Sequence, residues 1–225
     1  MKAVIFDLDN TLVDFSKLRE MSRKAAMDAM RDAGLKISIK KADQILTRLE
    51  MKYGTEYGEL FQLFLKEVMG KIDWKILANA INAYRKMRSS FLEPYPGVVS
   101  TLIKLKQMNL KLAIVSDAPR LRGWLRLAAM NLEPFFDVVV FHDDTGVLKP
   151  NKKTFMKALN KMKVKPEECL MVGDHYQRDM VGAKKIGMKT CHARYGYIPG
   201  WSGNVVKNFK PDYVIDSIEE LLEIL

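Results

Sequence analysis

The chain has 225 residues, enough for one large domain or a domain with an inserted module, and its 48% hydrophobic and 28% charged content excludes a disordered or fibrous chain. The N-terminal apolar run is short and broken by Asp7 and Asp9, which fits neither a secretory signal nor a membrane span, so a cytoplasmic protein with no membrane partner is expected. The net charge of +10 admits an anionic substrate, a nucleic acid or a lysine-rich thermophile surface; because the lysines spread along amphipathic helices without a nucleic-acid-binding signature, a solvated surface and no nucleic-acid partner are expected.

The first element is the apolar run 3–6, a buried strand that ends in Asp7-Leu8-Asp9-Asn10-Thr11. Residues 15–92 then hold no strand pattern. Leu18, Met21, Ala25, Ala29 and Ala33 recur at helical spacing, and Gly34, Gly54 and Gly70 end successive segments. A fourth segment runs from Trp74 through Leu77, Ile81, Tyr84 and Met87 into Glu93-Pro94-Tyr95-Pro96-Gly97, whose two prolines and glycine mark a boundary. A bundle of four helices over 15–92 is therefore predicted as one domain, with 1–14 and 93–225 as the other.

Strands and helices alternate from there. A helix at 98–108 precedes a strand at 112–115, and a helix at 121–130, with Trp124, Leu125 and Ala128 on one core face, precedes a strand at 138–141. The next helix starts near Asn151 and carries Phe155, Ala158, Leu159 and Met162 on one face; the strand 170–172 and a helix at 180–186 stopped by Gly187 follow. Strands at 189–193 and 213–215 come next, with a capping box at Ser217-Ile218-Glu219-Glu220 before a final helix. Apolar strands alternating with helices predict an α/β fold, a doubly wound, Rossmann-like parallel sheet with an inserted helical module. Cys169 and Cys191 sit in two of these strands without Cys-x-x-Cys spacing and are expected to be buried, inert thiols.

Two carboxylates two residues apart at the end of a buried strand repel each other and are costly to desolvate, so Asp7 and Asp9 suit a place where a cation and hydrogen-bond donors gather. Strand 112–115 ends in Ser116-Asp117, and strand 170–172 runs into Gly173-Asp174 with Asp179 further on. Between them Lys149-Pro150 precedes a helix, the proline biasing Lys149 toward extended backbone. In a parallel sheet these strand ends share the edge where ligands bind.

In this order the set resembles the four motifs of the haloacid dehalogenase superfamily of phosphotransferases, over 1–15 and 94–225; the insertion is similar to that superfamily's first cap type in position and helicity. The resemblance implies a Mg²⁺-dependent phosphatase acting on a small phosphorylated metabolite through an aspartyl phosphate. It makes Asp7 the nucleophile and Asp9 the acid and base, and it assigns Mg²⁺ to Asp7, the backbone carbonyl of Asp9, and Asp174, with Asp179 in support. It sets Thr11, Ser116, Asp117 and Lys149 around the phosphoryl group. The superfamily's dehalogenases lack the second aspartate of the first motif, so Asp9 argues against that sibling activity. A phosphomutase shares every motif and stays open, as does a nucleic-acid-binding protein that keeps the fold without turnover. Ala193-Arg194-Tyr195-Gly196 adds a similarity to archaeal proteins grouped as glyceraldehyde 3-phosphate phosphatases.

Other polar clusters carry less. His142-Asp143-Asp144 has no partner at ligand spacing and reads as a solvated turn. His175 falls inside the acidic motif and borders the pocket, His192 reads as a satisfied buried histidine, and the basic and aromatic run 120–126 reads as an amphipathic core helix.

Overall fold

The computed structural model describes residues 1–199, 201–206 and 209–225. The chain divides into two compact units, 1–16 with 92–225, and 17–91. Four helices follow the first strand: α1 (Phe15–Asp32), α2 (Ile39–Tyr53), α3 (Leu60–Met69) and α4 (Trp74–Ser90). Ser38 caps α2 and Asp73 caps α4 through their side chains, and Gly70 ends α3 in the left-handed conformation that a β-carbon disfavours. Leu46, Phe64, Leu65 and Ala80 close this unit's own core. A buried carboxylate, Glu50, is paired there with Arg19 and Arg23.

The larger unit is a sheet of six parallel strands, β1 (Ala3–Phe6), β2 (Lys111–Val115), β3 (Val138–Val140), β4 (Cys169–Gly173), β5 (Lys189–Ala193) and β6 (Tyr213–Ile215), in the order β3-β2-β1-β4-β5-β6. Successive side chains of a strand point to opposite faces, so Val4, Phe6, Leu112 and Ile114 join one core layer while Ala3, Ile5, Ala113 and Val115 join the other. The helices α5 (Val98–Gln107), α6 (Arg120–Ala129), α7 (His142–Thr145), α8 (Lys152–Met162), α9 (Gly182–Lys184) and α10 (Leu221–Ile224) complete the unit. Val98, Leu102 and Leu127 pack in the first layer, and Phe155, Ala158 and Leu159 in the second. This is the doubly wound α/β arrangement that the alternating pattern predicts. The strand order reverses between β1 and β4, and such a switch point opens a crevice beyond the strands' carboxyl ends. Among the described residues no helix is long and apolar enough to cross a membrane.

Three local expectations are corrected. The core face of α6 is Gly123, Arg126 and Leu127, whereas Trp124, Leu125 and Ala128 are exposed. The reason is close approach: a β-carbon on Gly123 would lie 2.0 Å from the Phe141 ring, so the helix is seated on its glycine. His142-Asp143-Asp144 is not a free turn but helix α7, where Asp143 accepts from the Arg120 amide and Asp144 from the Phe141 amide. The Ser217 side chain makes no capping bond; the Asp216 amide donates to the Glu220 carboxylate instead, and a 3₁₀ turn leads into α10.

Candidate active site

β1 delivers Asp7 and β4 delivers Asp174 to the two sides of the switch point, because Phe6 pairs in register with Val172 and the Asp7 amide donates to the Val172 carbonyl at 2.9 Å. Asp179 arrives from a π-helical turn, Tyr176–Val181, that runs into α9. Gly173 makes that approach possible, since a β-carbon there would sit 2.4 Å from Asp179 Oδ2. Asp7, Asp174 and Asp179 are all buried, and one carboxylate oxygen of each lies within 4.8 Å of the others.

Lys149, presented just before α8, is the cation among them. Its Nζ is 2.5 Å from Asp7 Oδ1 and 2.6 Å from Asp179 Oδ1. Burial works against its charge, but Asp179, Asp7 and Asp117 outweigh that and raise its pKa, so it stays an ammonium. The acidic partners shift upward too, which for them disfavours the charged form. Burial first, then the neighbouring Asp7 and Asp179, push the Asp174 carboxyl up to about 8. Burial also raises Asp7 against the opposing pull of Lys149. One ammonium is too little charge for three buried carboxylates, and the all-oxygen donor set they form is one a hard divalent cation would satisfy.

The other residues singled out from sequence lie close by in the fold. Asp9 has its Oδ1 3.3 Å from Arg126 Nε, and the Arg126 guanidinium stacks 4.3 Å from the Phe15 ring centroid. Ser116 is buried and its Oγ accepts from the Ala118 amide at 3.2 Å. Asp117 accepts from the Lys149 amide at 2.8 Å and lies 3.3 Å from Arg178 Nη1, so in this structure it organises the lysine's backbone. Thr11 is buried within the turn after β1, and its carbonyl accepts from the Tyr195 hydroxyl at 2.8 Å. The His142 to Asp144 cluster stands apart from the carboxylates and pairs with Arg120.

Three residues carry more of the site than their local sequence discloses. His192 is buried, as expected, but its Nε2 lies 3.1 Å from the Asp174 carbonyl; burial lowers its pKa, so the neutral ring with a proton on Nε2 fits this contact. Ser202 Oγ bonds Asp174 Oδ2. Arg126 sits wholly inside the unit against Asp9. Their own stretches do not disclose these partners, which are far away in sequence.

A family model described as haloacid dehalogenase-like hydrolase matches residues 4–193. The chain belongs to the haloacid dehalogenase-like hydrolases. Over 225 residues it is 35% identical to the glyceraldehyde 3-phosphate phosphatase of Methanocaldococcus jannaschii, covering 100% of this chain and 97% of that one. Over 234 residues it is 32% identical to the pyrophosphatase PpaX of Halalkalibacterium halodurans, covering 100% and 97%. The crystal structure of a HAD phosphatase from Thermococcus onnurineus matches it with a TM-score of 0.70 at 28% identity, covering 100% of this chain and 97% of that one. This member of the haloacid dehalogenase-like hydrolases is thus an enzyme of the phosphatase type.

Proposed function

We propose that the enzyme is a Mg²⁺-dependent phosphatase that cleaves a small phosphomonoester through an aspartyl phosphate on Asp7, with glyceraldehyde 3-phosphate as the leading candidate substrate. The observation that carries this reading is the buried set of Asp7, Asp174 and Asp179 around Lys149 at the switch point, with Asp9 two residues from the nucleophile.

Asp7, Asp174 and Asp179 would hold the cation together with the backbone carbonyl of Asp9. When bound, it screens the repulsion between the Asp7 carboxylate and the phosphate dianion. An Asp7 oxygen attacks phosphorus, the ester P–O bond breaks, and the leaving alkoxide takes the proton held by Asp9. Asp9, now a carboxylate, takes a proton from water as that water's oxygen attacks phosphorus; the Asp7–phosphoryl bond breaks and inorganic phosphate leaves. Lys149 and Ser116 stabilise charge on the phosphoryl oxygens throughout.

Every residue in this scheme lies outside the helical unit 17–91, so that insertion is read as a cap that selects the substrate. The free thiols of Cys169 and Cys191 suit a reducing, cytoplasmic setting; burial first of all pushes both up to about 12, which keeps them inert.

The test is phosphate release from a panel of small esters that includes glyceraldehyde 3-phosphate, with pyrophosphate alongside, in the presence of Mg²⁺ and of chelator. Mg²⁺-dependent release with little effect of moderate salt supports the reading. Isomerisation of a sugar phosphate without net phosphate release would make the enzyme a mutase, and salt-sensitive nucleic-acid binding without turnover would overturn the catalytic reading altogether.

A further inference from the structure

Asp174 is anchored by a segment that lies outside all four motifs. Ser202, wholly buried, accepts a hydrogen bond at its Oγ from the Ile198 amide at 3.0 Å, and its hydroxyl lies against Asp174 Oδ2. A serine hydroxyl has one proton, and with the Ile198 amide already donating to Oγ that proton is directed to the carboxylate. The turn that presents Ser202 is closed on itself, because the Ser202 amide donates to the Ile198 carbonyl at 2.9 Å and the Tyr197 hydroxyl to the Gly203 carbonyl at 3.2 Å. It is also tied to the acidic loop, since the Tyr176 amide donates to the Ser202 carbonyl at 3.2 Å. His192 lies against the Asp174 carbonyl and packs against Tyr176 with ring centroids 4.3 Å apart.

We infer that Ser202 is a positioning residue for the cation: by donating to Asp174 Oδ2 it fixes the carboxylate's rotation and so presents Asp174 as a ligand. This rests on the reading that Asp7, Asp174 and Asp179 hold Mg²⁺. Partners of this kind, one bond removed from a metal, orient the ligand before the ion arrives, and removing one weakens metal binding by about 10- to 100-fold. Ser202 touches no reacting atom in the proposed scheme, so it acts through Asp174 and the ion.

Full-length wild type, Ser202→Ala and Ser202→Cys are titrated with Mg²⁺ alone by calorimetry, and the rise of Tm with Mg²⁺ is followed in parallel. Ser202→Ala is expected to bind Mg²⁺ at least about tenfold more weakly. The Mg²⁺ concentration that half-saturates its turnover should rise by a similar factor. Ser202→Cys keeps the size of the side chain with a weaker donor, should fall between the two, and decides the matter if the alanine variant does not fold. Mg²⁺ titrations of the variants that superpose on wild type would overturn the role of Ser202. A wild-type protein that takes up no Mg²⁺ would overturn the metal reading itself, and this inference with it.

Discussion

Lys149 Nζ lies 2.5 Å from Asp7 Oδ1, although the two residues are 142 apart in the chain. The lysine is the charge that allows Asp7 and Asp179 to be buried together, and removing one partner of a buried pair leaves the rest uncompensated. Lys149→Met should therefore destabilise the metal-free protein by about 3–5 kcal/mol, less when Mg²⁺ is present. Thermal unfolding in chelator and in Mg²⁺ checks this, and an unchanged Tm in chelator would contradict it.

Asp7→Asn removes the attacking oxygen without removing bulk. Turnover should drop by more than about a thousandfold. Because burial already disfavours the Asp7 charge, the metal-free variant should unfold at the wild-type temperature or above it. Retained phosphate release at saturating Mg²⁺ would remove Asp7 from the mechanism.

Asp9→Asn takes away the proton that the leaving group needs. Alkyl esters should lose about 100- to 10,000-fold, and aryl esters, whose leaving groups are less basic, markedly less. Equal losses on the two classes would show that Asp9 is not the acid.

Asp174→Asn should move the Mg²⁺ dependence of activity to higher concentration, since a hard cation loses one of its few protein oxygens. The same change relieves repulsion among the three carboxylates, so the variant should be more stable than wild type in chelator and gain less from Mg²⁺. Superposable titrations would exclude Asp174 as a ligand.

Acid stability has a separate source. Partial burial would raise Asp137, but the Leu112 amide and Lys106 outweigh it and hold its carboxyl below the ordinary 3.8; Asp212 is held down likewise, against burial, by Lys184 and Thr190. A carboxylate whose pKa falls on folding stabilises the fold above its unfolded value and loses that contribution as pH falls through the folded one. Wild type should exceed Asp137→Asn and Asp212→Asn in Tm at neutral pH, with the gap closing below about 3.8. A gap that persists in strong acid would place their effect elsewhere.

The sheet was readable because most of its strands, though not Lys189–Ala193, are near-continuous apolar runs, and the parallel pairing of β1 with β4 then brings Asp7 and Asp174 to one edge. Arg126 was not readable: a helical pattern containing Trp124 and Leu125 points the aromatic inward, and only the Phe141 ring under Gly123 decides which face is buried. Ser202 escaped for a different reason, as did the link between the buried His192 and Asp174. They act on Asp174 from 28 and 18 residues away, through bonds that exist only once β5 and the turn after it have folded.

The central claim is that phosphorus is transferred to Asp7, and trapping that adduct tests it most directly. Asp9→Asn is mixed with p-nitrophenyl phosphate and Mg²⁺, quenched in acid within the first turnover, and its peptides are analysed by mass spectrometry while nitrophenol and phosphate are followed in time. A poor base at position 9 slows hydrolysis of the intermediate more than its formation from an aryl ester, so nitrophenol should appear ahead of phosphate, with a phosphoryl group on the peptide that carries Asp7. Nitrophenol and phosphate released in step, with that peptide unmodified, would contradict the account.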